Sequence, residues 1–339
     1  MIETAVHLAE AGQDLSMGQM SAAVESIMEG KCTEDEISRF LVALHTKGET
    51  VAEVAGAAVV MREKMTRIRT RHTKVIDVVG TGGDRSGTFN ISTAAALVTA
   101  AAGLPVAKHG SRRYSSRTGS ADVLTALGVN VEVDAQRVEE CIDTLGICFC
   151  FAPFLHKAMK YVAPVRQKLA MPTIFNILGP LVNPASAPFQ LLGVGQPRLQ
   201  VLLSEALALL PTHRVVVVHG SDGLDEVTLS GATYVTEVIG AGLRQFQWTP
   251  ADFGFQPQGC DGLRAEGPQQ SAAIIRGVLN GQPGAARDIV VMNAAAALWT
   301  ARRAESLGEG ARMASESIDN GAAASLLARL VEYTNRPPR

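Results

Sequence analysis

Apolar positions recur at helical spacing through the first 66 residues, over 17–28, 34–45 and 51–66, and predict helices there. Thr33-Glu-Asp-Glu36 supplies a capping box for the second of these, with Thr33 as N-cap, and Gly30 and Gly48 mark the joints. From Val75 the pattern changes. Short β-branched or apolar runs at 75–79, 106–107, 129–131, 148–151, 191–194, 215–219, 234–238 and 246–248 predict strands. Amphipathic stretches separate most of them, among them 120–127, 135–145, 156–169 and 199–209. Helical patterns at 272–279, 285–304 and 307–334 follow, the last interrupted at Asn320-Gly321. This alternation predicts an α/β fold. A small all-helical N-terminal domain spans 1–70. A large α/β domain spans 75–339, with a mostly parallel central sheet flanked by helices, and the basic stretch 67–74 links the two.

Composition narrows this picture only a little. Hydrophobic residues make up 47% of 339, charged residues 19% and aromatic residues 5%, an aliphatic globular chain. A net charge of −2 gives no general pull toward nucleic acid or an anionic membrane, so neither is expected as a partner. No apolar run reaches the roughly 18–20 residues of a membrane span. The N-terminus has no basic stretch followed by an apolar run, and a cytoplasmic location is expected. The five cysteines are scattered, and Cys148-Phe-Cys150 reads as a buried strand pair rather than a metal or redox site.

Candidate chemistry concentrates in four places. The first is the run from Val78 to Thr93, where a predicted strand meets a loop holding Gly80, Gly82, Gly83 and Gly87 and then Asn90-Ile-Ser-Thr93 at the start of a helix. Strand, glycine loop and helix N-terminus are how a parallel α/β protein presents backbone N–H groups to a phosphate. The spacing fits neither a Walker loop nor a dinucleotide fingerprint. The second is Lys108–Asp122, a loop with Lys108, His109, Arg112, Arg113, Arg117, Ser115, Ser116 and Ser120, able to surround a polyphosphate. In parallel sheets such loops meet in one crevice. The third is Arg166, near the end of an amphipathic helix, followed by 173–184; a guanidinium there can hold a carboxylate. The fourth is the loop after 215–219, where Asp222, Asp225 and Glu226 are placed to hold Mg²⁺ against ligand phosphates. His109 reads as a structural hydrogen-bonding residue, with late proton handling as the other reading.

These clusters, in this order, resemble the anthranilate phosphoribosyltransferases, within the nucleoside phosphorylase and phosphoribosyltransferase family that carries a helical N-terminal domain. The matching runs are Gly80-Thr-Gly-Gly-Asp84, Asn90-Ile-Ser-Thr93, Lys108-His-Gly110 with Ser115-Ser116 and Gly119-Ser-Ala-Asp122, 173–184, and Asp225-Glu226. The resemblance covers nearly the whole chain. It implies transfer of ribose 5-phosphate from phosphoribosyl pyrophosphate (PRPP) to the amine of anthranilate, with Mg²⁺, in tryptophan synthesis. It implies that Gly80, Gly83, Asp84, Thr88, Asn90, Ile91, Ser92, Thr93, Lys108, Ser111, Ser115, Ser116, Ser120 and Arg166 bind the two substrates. Ser92, Asp225 and Glu226 hold metal in that reading, and Lys108, Asp225 and Glu226 are the catalytic set. It also implies a homodimer, and helices from about 156–185 packed on the helical domain.

The chain departs from the family pattern at Ser111, where Asn is usual, at Arg113-Tyr114, where small residues are usual, and at Arg85, where Gly is usual. Those changes keep two alternatives open: a related transferase or phosphorylase with another acceptor, and a non-catalytic nucleic-acid-binding relative.

Overall fold

The computed structural model describes residues 2–84, 86–112 and 119–337. Four helices open the chain: α1 (Ile2–Glu10), α2 (Met17–Met28), α3 (Glu34–Lys47) and α4 (Val51–Lys64). The predicted cap on α3 forms. Glu36 N–H donates to Thr33 Oγ1 at 3.3 Å, and Thr33 N–H donates to Glu36 Oε2 at 2.7 Å. Gly30 and Gly48 take φ of +71° and +87°, a backbone region that L side chains avoid, and so turn the chain between helices.

The sheet has seven strands: β1 (Ile76–Gly80), β2 (Val106–Gly110), β3 (Ile147–Phe151), β4 (Phe189–Gly193), β5 (Arg214–Gly220), β6 (Thr233–Ile239) and β7 (Gly242–Trp248). Their order is β3-β2-β1-β4-β5-β6-β7. The first five in that order run parallel, and β6 and β7 are antiparallel. From β1 the chain steps to β2 on one side, while β4 lies on the other. The loop after β1 therefore leaves the sheet at its topological switch point, where parallel sheets bind ligands.

Alternation along the strands splits the core in two. On β5, Val216 and Val218 join a cluster with β1, β2, β3 and the C-terminal helices. Val215 and Val217 face the other way, into a cluster with α1–α4, residues 162–182 and the helix Pro197–Ala208. The four-helix stretch thus shares a continuous apolar core with one face of the sheet. Cys148 and Cys150 point to the same side of β3, both buried, with sulfurs 4.0 Å apart.

Two predicted elements are corrected. Residues 129–131 are not a strand. Val129 and Val131 are buried as the pattern required, but the segment runs along the C-terminal helix Ala322–Thr334, with Asn130 N–H donating to Thr334 Oγ1 at 3.1 Å. Nor is 156–169 one helix. A 3₁₀ turn (Lys157–Tyr161) precedes a fresh helix at Ala163–Leu169, because Pro164 has no N–H to continue the earlier turn and fits a helix's first residues.

Candidate active site

The carboxyl ends of β1 and β2 and the loop after β5 open into one cavity of about 920 Å³. Segments 152–166 and 175–182 form its other wall. Among the predicted residues, Gly80, Gly83, Asp84, Thr88, Asn90, Ile91, Ser92, Lys108, Ser111, Ser120, Arg166, Asp225 and Glu226 all line it. Thr93 does not: it is 1% exposed, and its N–H is taken by the Asn90 side chain at 3.1 Å. Ser115 and Ser116 lie outside the described residues, as do Arg85, Arg113, Tyr114 and Arg117.

The floor is held by backbone contacts that only glycine permits. A Cβ on Gly80 would sit 2.5 Å from Asp225 Oδ2, and one on Gly193 would sit 1.6 Å from the Asp225 carbonyl. Gly80 and Gly193 are register partners at the ends of β1 and β4, so the Asp225 loop rests directly on the sheet. Gly82 and Gly83, with φ of +68° and +80°, turn the chain over it. Gly82 N–H donates to Asp225 Oδ2 at 2.8 Å, and Ser92 N–H donates to Glu226 Oε1 at 3.1 Å. The adjacent acids thus point into one place, which a turn allows and a strand would not.

The helix N-terminus is less open than the sequence implied. Asn90 caps α5 (Ile91–Ala101). The N–H groups of Ile91, Ser92, Thr93 and Ala94 go to Phe89 O, Glu226, Asn90 Oδ1 and Asn90 O. Within the glycine loop, the N–H groups of Gly83 and Asp84 have no protein acceptor among the described residues. The loop amides of Gly83 and Asp84, and not the first turn of α5, are thus the backbone donors left open to the cavity among the described residues.

Asp225, Glu226 and Asp84 form a crowded acidic group. Burial raises Asp225 to about 7, and the neighbouring Asp84 carboxylate adds to that. Burial and the Asp225 charge push Glu226 well above the usual carboxylate range. Asp222, expected beside them, instead accepts from Thr228 Oγ1 at 2.6 Å and Ser230 Oγ at 2.7 Å and braces its own turn. Among the described residues no three His, Cys, Asp or Glu side chains already form a metal cage. Buried carboxylates that repel each other at the edge of an anion loop fit a divalent cation completed by ligand oxygens.

Lys108 lies under this group, 4% exposed, with Nζ donating to Val78 O at 2.6 Å and to Ser92 Oγ at 3.0 Å. Burial lowers its pKa, opposed by Asp77, Glu226 and Asp225. Asp77 escaped sequence analysis although it is a lone acid in the apolar run 75–79. It is fully buried, accepts from His109 N–H at 3.1 Å, and is raised to about 6 by burial. Gln190, also missed, donates to Pro180 O at 2.6 Å and ties β4 to the far wall. On that wall Arg166 donates to Asn176 Oδ1 at 3.2 Å, and its guanidinium carbon lies 5.8 Å from the Phe175 ring centre.

The fold and the cavity together place a glycine loop at the ends of parallel strands opposite a wall of short helices. Two family models match: the glycosyl transferase family a/b domain over residues 72–324 and the glycosyl transferase family helical bundle domain over residues 7–65. The chain belongs to this glycosyl transferase family. Among relatives, the anthranilate phosphoribosyltransferase of Pelotomaculum thermopropionicum is 48% identical, over 98% of this chain and 97% of that protein. The enzyme of the same name from Rhodospirillum rubrum is 49% identical over 99% and 96%. Among solved structures, anthranilate phosphoribosyltransferase from Thermus thermophilus matches with a TM-score of 0.91 and 41% identity, covering 98% of this chain and 99% of that one. The Saccharomyces cerevisiae enzyme in complex with PRPP and Mg matches at 0.89 and 29% identity, covering 98% and 97%.

Proposed function

We propose that this chain transfers the phosphoribosyl group of PRPP to the amine of anthranilate, releasing pyrophosphate, in tryptophan biosynthesis. The observation that carries this is the cavity's division into two unlike halves. One half is built from the glycine loop, Lys108 and the acids Asp225 and Glu226; the other from Arg166, Phe175 and Asn176. The first suits a polyphosphate with a cation, and the second a flat aromatic carboxylate. The names of the relatives, and the 4-fluoroanthranilate complex of the yeast enzyme, support the same reading.

Cleaving C1–O of PRPP puts positive character on the ribose and negative charge on pyrophosphate. In this chain the amides of Gly83 and Asp84 and the Lys108 side chain meet that negative charge. Ser92, Asp225 and Glu226 would hold Mg²⁺, with Asp84 adjacent. Bound Mg²⁺ supplies a Lewis acid that neutralises the leaving group. Arg166, fixed by Asn176, holds the acceptor carboxylate, and Phe175 lies beside it. Ser111 also lines the cavity, and its short hydroxyl would contact the acceptor through a bridging water. The rest of the catalysis is alignment of two bound substrates.

We also take the protein to be a homodimer. A shallow groove between α1 and α3, lined by Ala9, Arg39, Val42 and Ala43, leaves Val42 exposed on the helical bundle and supports this. Its five free cysteines support a reducing compartment, and we place it in the cytoplasm. No helix among the described residues is long and apolar enough to cross a membrane.

The test is loss of anthranilate fluorescence on mixing the protein with PRPP, Mg²⁺ and anthranilate, with pyrophosphate measured alongside. Matched loss and release are expected. PRPP binding without loss of anthranilate fluorescence would assign a different acceptor.

A further inference from the structure

Phe175 and Asn176 sit on a segment that lies outside both the sheet and the four helices of the bundle. A short helix (Phe175–Leu178) runs straight into a 3₁₀ turn (Gly179–Leu181). Elements this short leave most of their carbonyls without an internal partner. Leu178 and Leu181 are buried in the core shared with α1–α4, but apolar contact has no direction and does not by itself fix where the segment stands.

Three consecutive carbonyls of the turn are each taken by a side chain from a different element. His109 Nδ1, on β2, lies 2.9 Å from Gly179 O. Gln190, on β4, donates to Pro180 O at 2.6 Å. Arg62, on α4, donates through Nε to Leu181 O at 2.7 Å. A carbonyl only accepts, so His109 carries its hydrogen on Nδ1. Its Nε2 then accepts from Nε2 of His156, 3.1 Å away, and two neutral imidazoles satisfy both contacts. Burial keeps His109 in that neutral form, lowering it to about 3.

Two of these three holds come from the sheet, and only Arg62 reaches the turn from the helical bundle. Arg62 also donates through Nη1 to Pro211 O at 3.2 Å, in the loop that leads into β5. Both partners are carbonyls, and among the described residues no acid pairs with it. Burial lowers its pKa. A cation drawn out of water without a counter-charge costs stability, so an apolar residue would serve the bundle better. What the guanidinium adds is a planar fork that binds two separate segments at once.

We propose that Arg62 is a positioning residue for the acceptor: its hold on Leu181 sets where Phe175 and the Asn176–Arg166 pair stand relative to the phosphoribosyl half. Asn176 Oδ1 accepts from Thr173 N–H at 2.9 Å and from Arg166 at 3.2 Å, so a shift of the segment passes directly to the Arg166 guanidinium. The inference rests on the proposed function for what this wall receives.

The test compares Arg62→Met and Arg62→Lys with the unaltered protein. Methionine keeps an unbranched stem and removes every donor. KM for anthranilate is expected to rise about 10-fold with KM for PRPP unchanged, since a misplacement near 1 Å is worth up to about 10²-fold. Lysine keeps the charge and can serve one carbonyl at a time, so Arg62→Lys is expected to fall between the two. Arg62→Met combined with Arg166→Lys is expected to raise KM for anthranilate by less than the product of the single effects, because both act on one contact. A purely structural role would lower the melting temperature without separating the two substrates. Unchanged KM for anthranilate overturns the proposal, as do equal rises for both substrates or effects that multiply in the double variant. Should Arg62→Met fail to fold, Arg62→Lys alone and with Arg166→Lys carries the same comparison. A wild type that consumes no anthranilate overturns the underlying function instead, and shows this before any variant is compared.

Discussion

The backbone of Gly193 passes so close to Asp225 that a Cβ there would lie 1.6 Å from the Asp225 carbonyl oxygen. The obstacle is main chain, so the loop carrying both acids must move to admit a methyl group. Gly193→Ala is expected to cost about 1–3 kcal/mol, the range of an overpacked core, and to lower transferase activity far more than that figure alone implies. Urea unfolding and turnover measured on one preparation check both parts.

The acids should trade stability for metal binding. Asp225→Asn and Glu226→Gln each replace an ionisable carboxyl in a buried, mutually repelling group by a neutral amide. Each variant is expected to melt higher than wild type without ligands, yet to lose the rise in melting temperature that Mg²⁺ with PRPP gives wild type. Chelation of Mg²⁺ should abolish wild-type turnover. Calorimetry with and without Mg²⁺ and PRPP tests the exchange, and a wild type indifferent to Mg²⁺ would refute it.

Arg166 should act on one substrate only. Its guanidinium is held by Asn176 and lies beside Phe175 in the lining of the cavity. Arg166→Lys retains the charge but not the planar fork, and is expected to raise KM for anthranilate at least 10-fold, of the order of one lost charge-assisted hydrogen bond, with KM for PRPP unchanged. Initial rates with each substrate varied in turn separate the two.

Asp77 gives the fold a pH dependence whose sign is opposite to that of an ordinary salt-bridged acid. Its carboxyl is raised to about 6 in the folded protein from an unfolded value of 3.8. Between those values the folded state holds more protons than the unfolded state, so stability from this group falls as pH rises from about 4 to about 6 and is level above that. Asp77→Asn is expected to flatten that part of the curve while losing roughly 1–3 kcal/mol overall, because an amide N–H replaces one acceptor. Urea unfolding at intervals between pH 4 and 8 for both proteins tests the slope.

Much of the site was legible because its parts are local. The glycine loop, the Asn90 cap and the adjacent acids are short runs whose chemistry depends on neighbours in sequence. Asp222 shows the limit of that reading. It has the same residue type in the same loop as Asp225, but Thr228 and Ser230 lie within reach and occupy it. The helix amides show another, since the distant Glu226 takes the N–H of Ser92 that the sequence left open. Val129 and Val131 alternate like a strand and are buried like one, yet the chain's last helix, not the sheet, is what they meet.

The sequence by itself determined the helical start, the strand–helix alternation, the caps and the place of the glycine loop. Each follows from periodicity, capping chemistry or backbone freedom acting over a few residues. The tertiary structure alone decided what those pieces face. Gly82 meets Asp225 across 143 positions, His109 meets His156 across 47, and Asp77 meets Gln190 across 113. Such pairs arise from strand order and from which face of the sheet a residue occupies. Neither leaves a mark on the residues nearby, and so the unequal halves of the cavity and the buried histidine pair came into view only once the chain was folded.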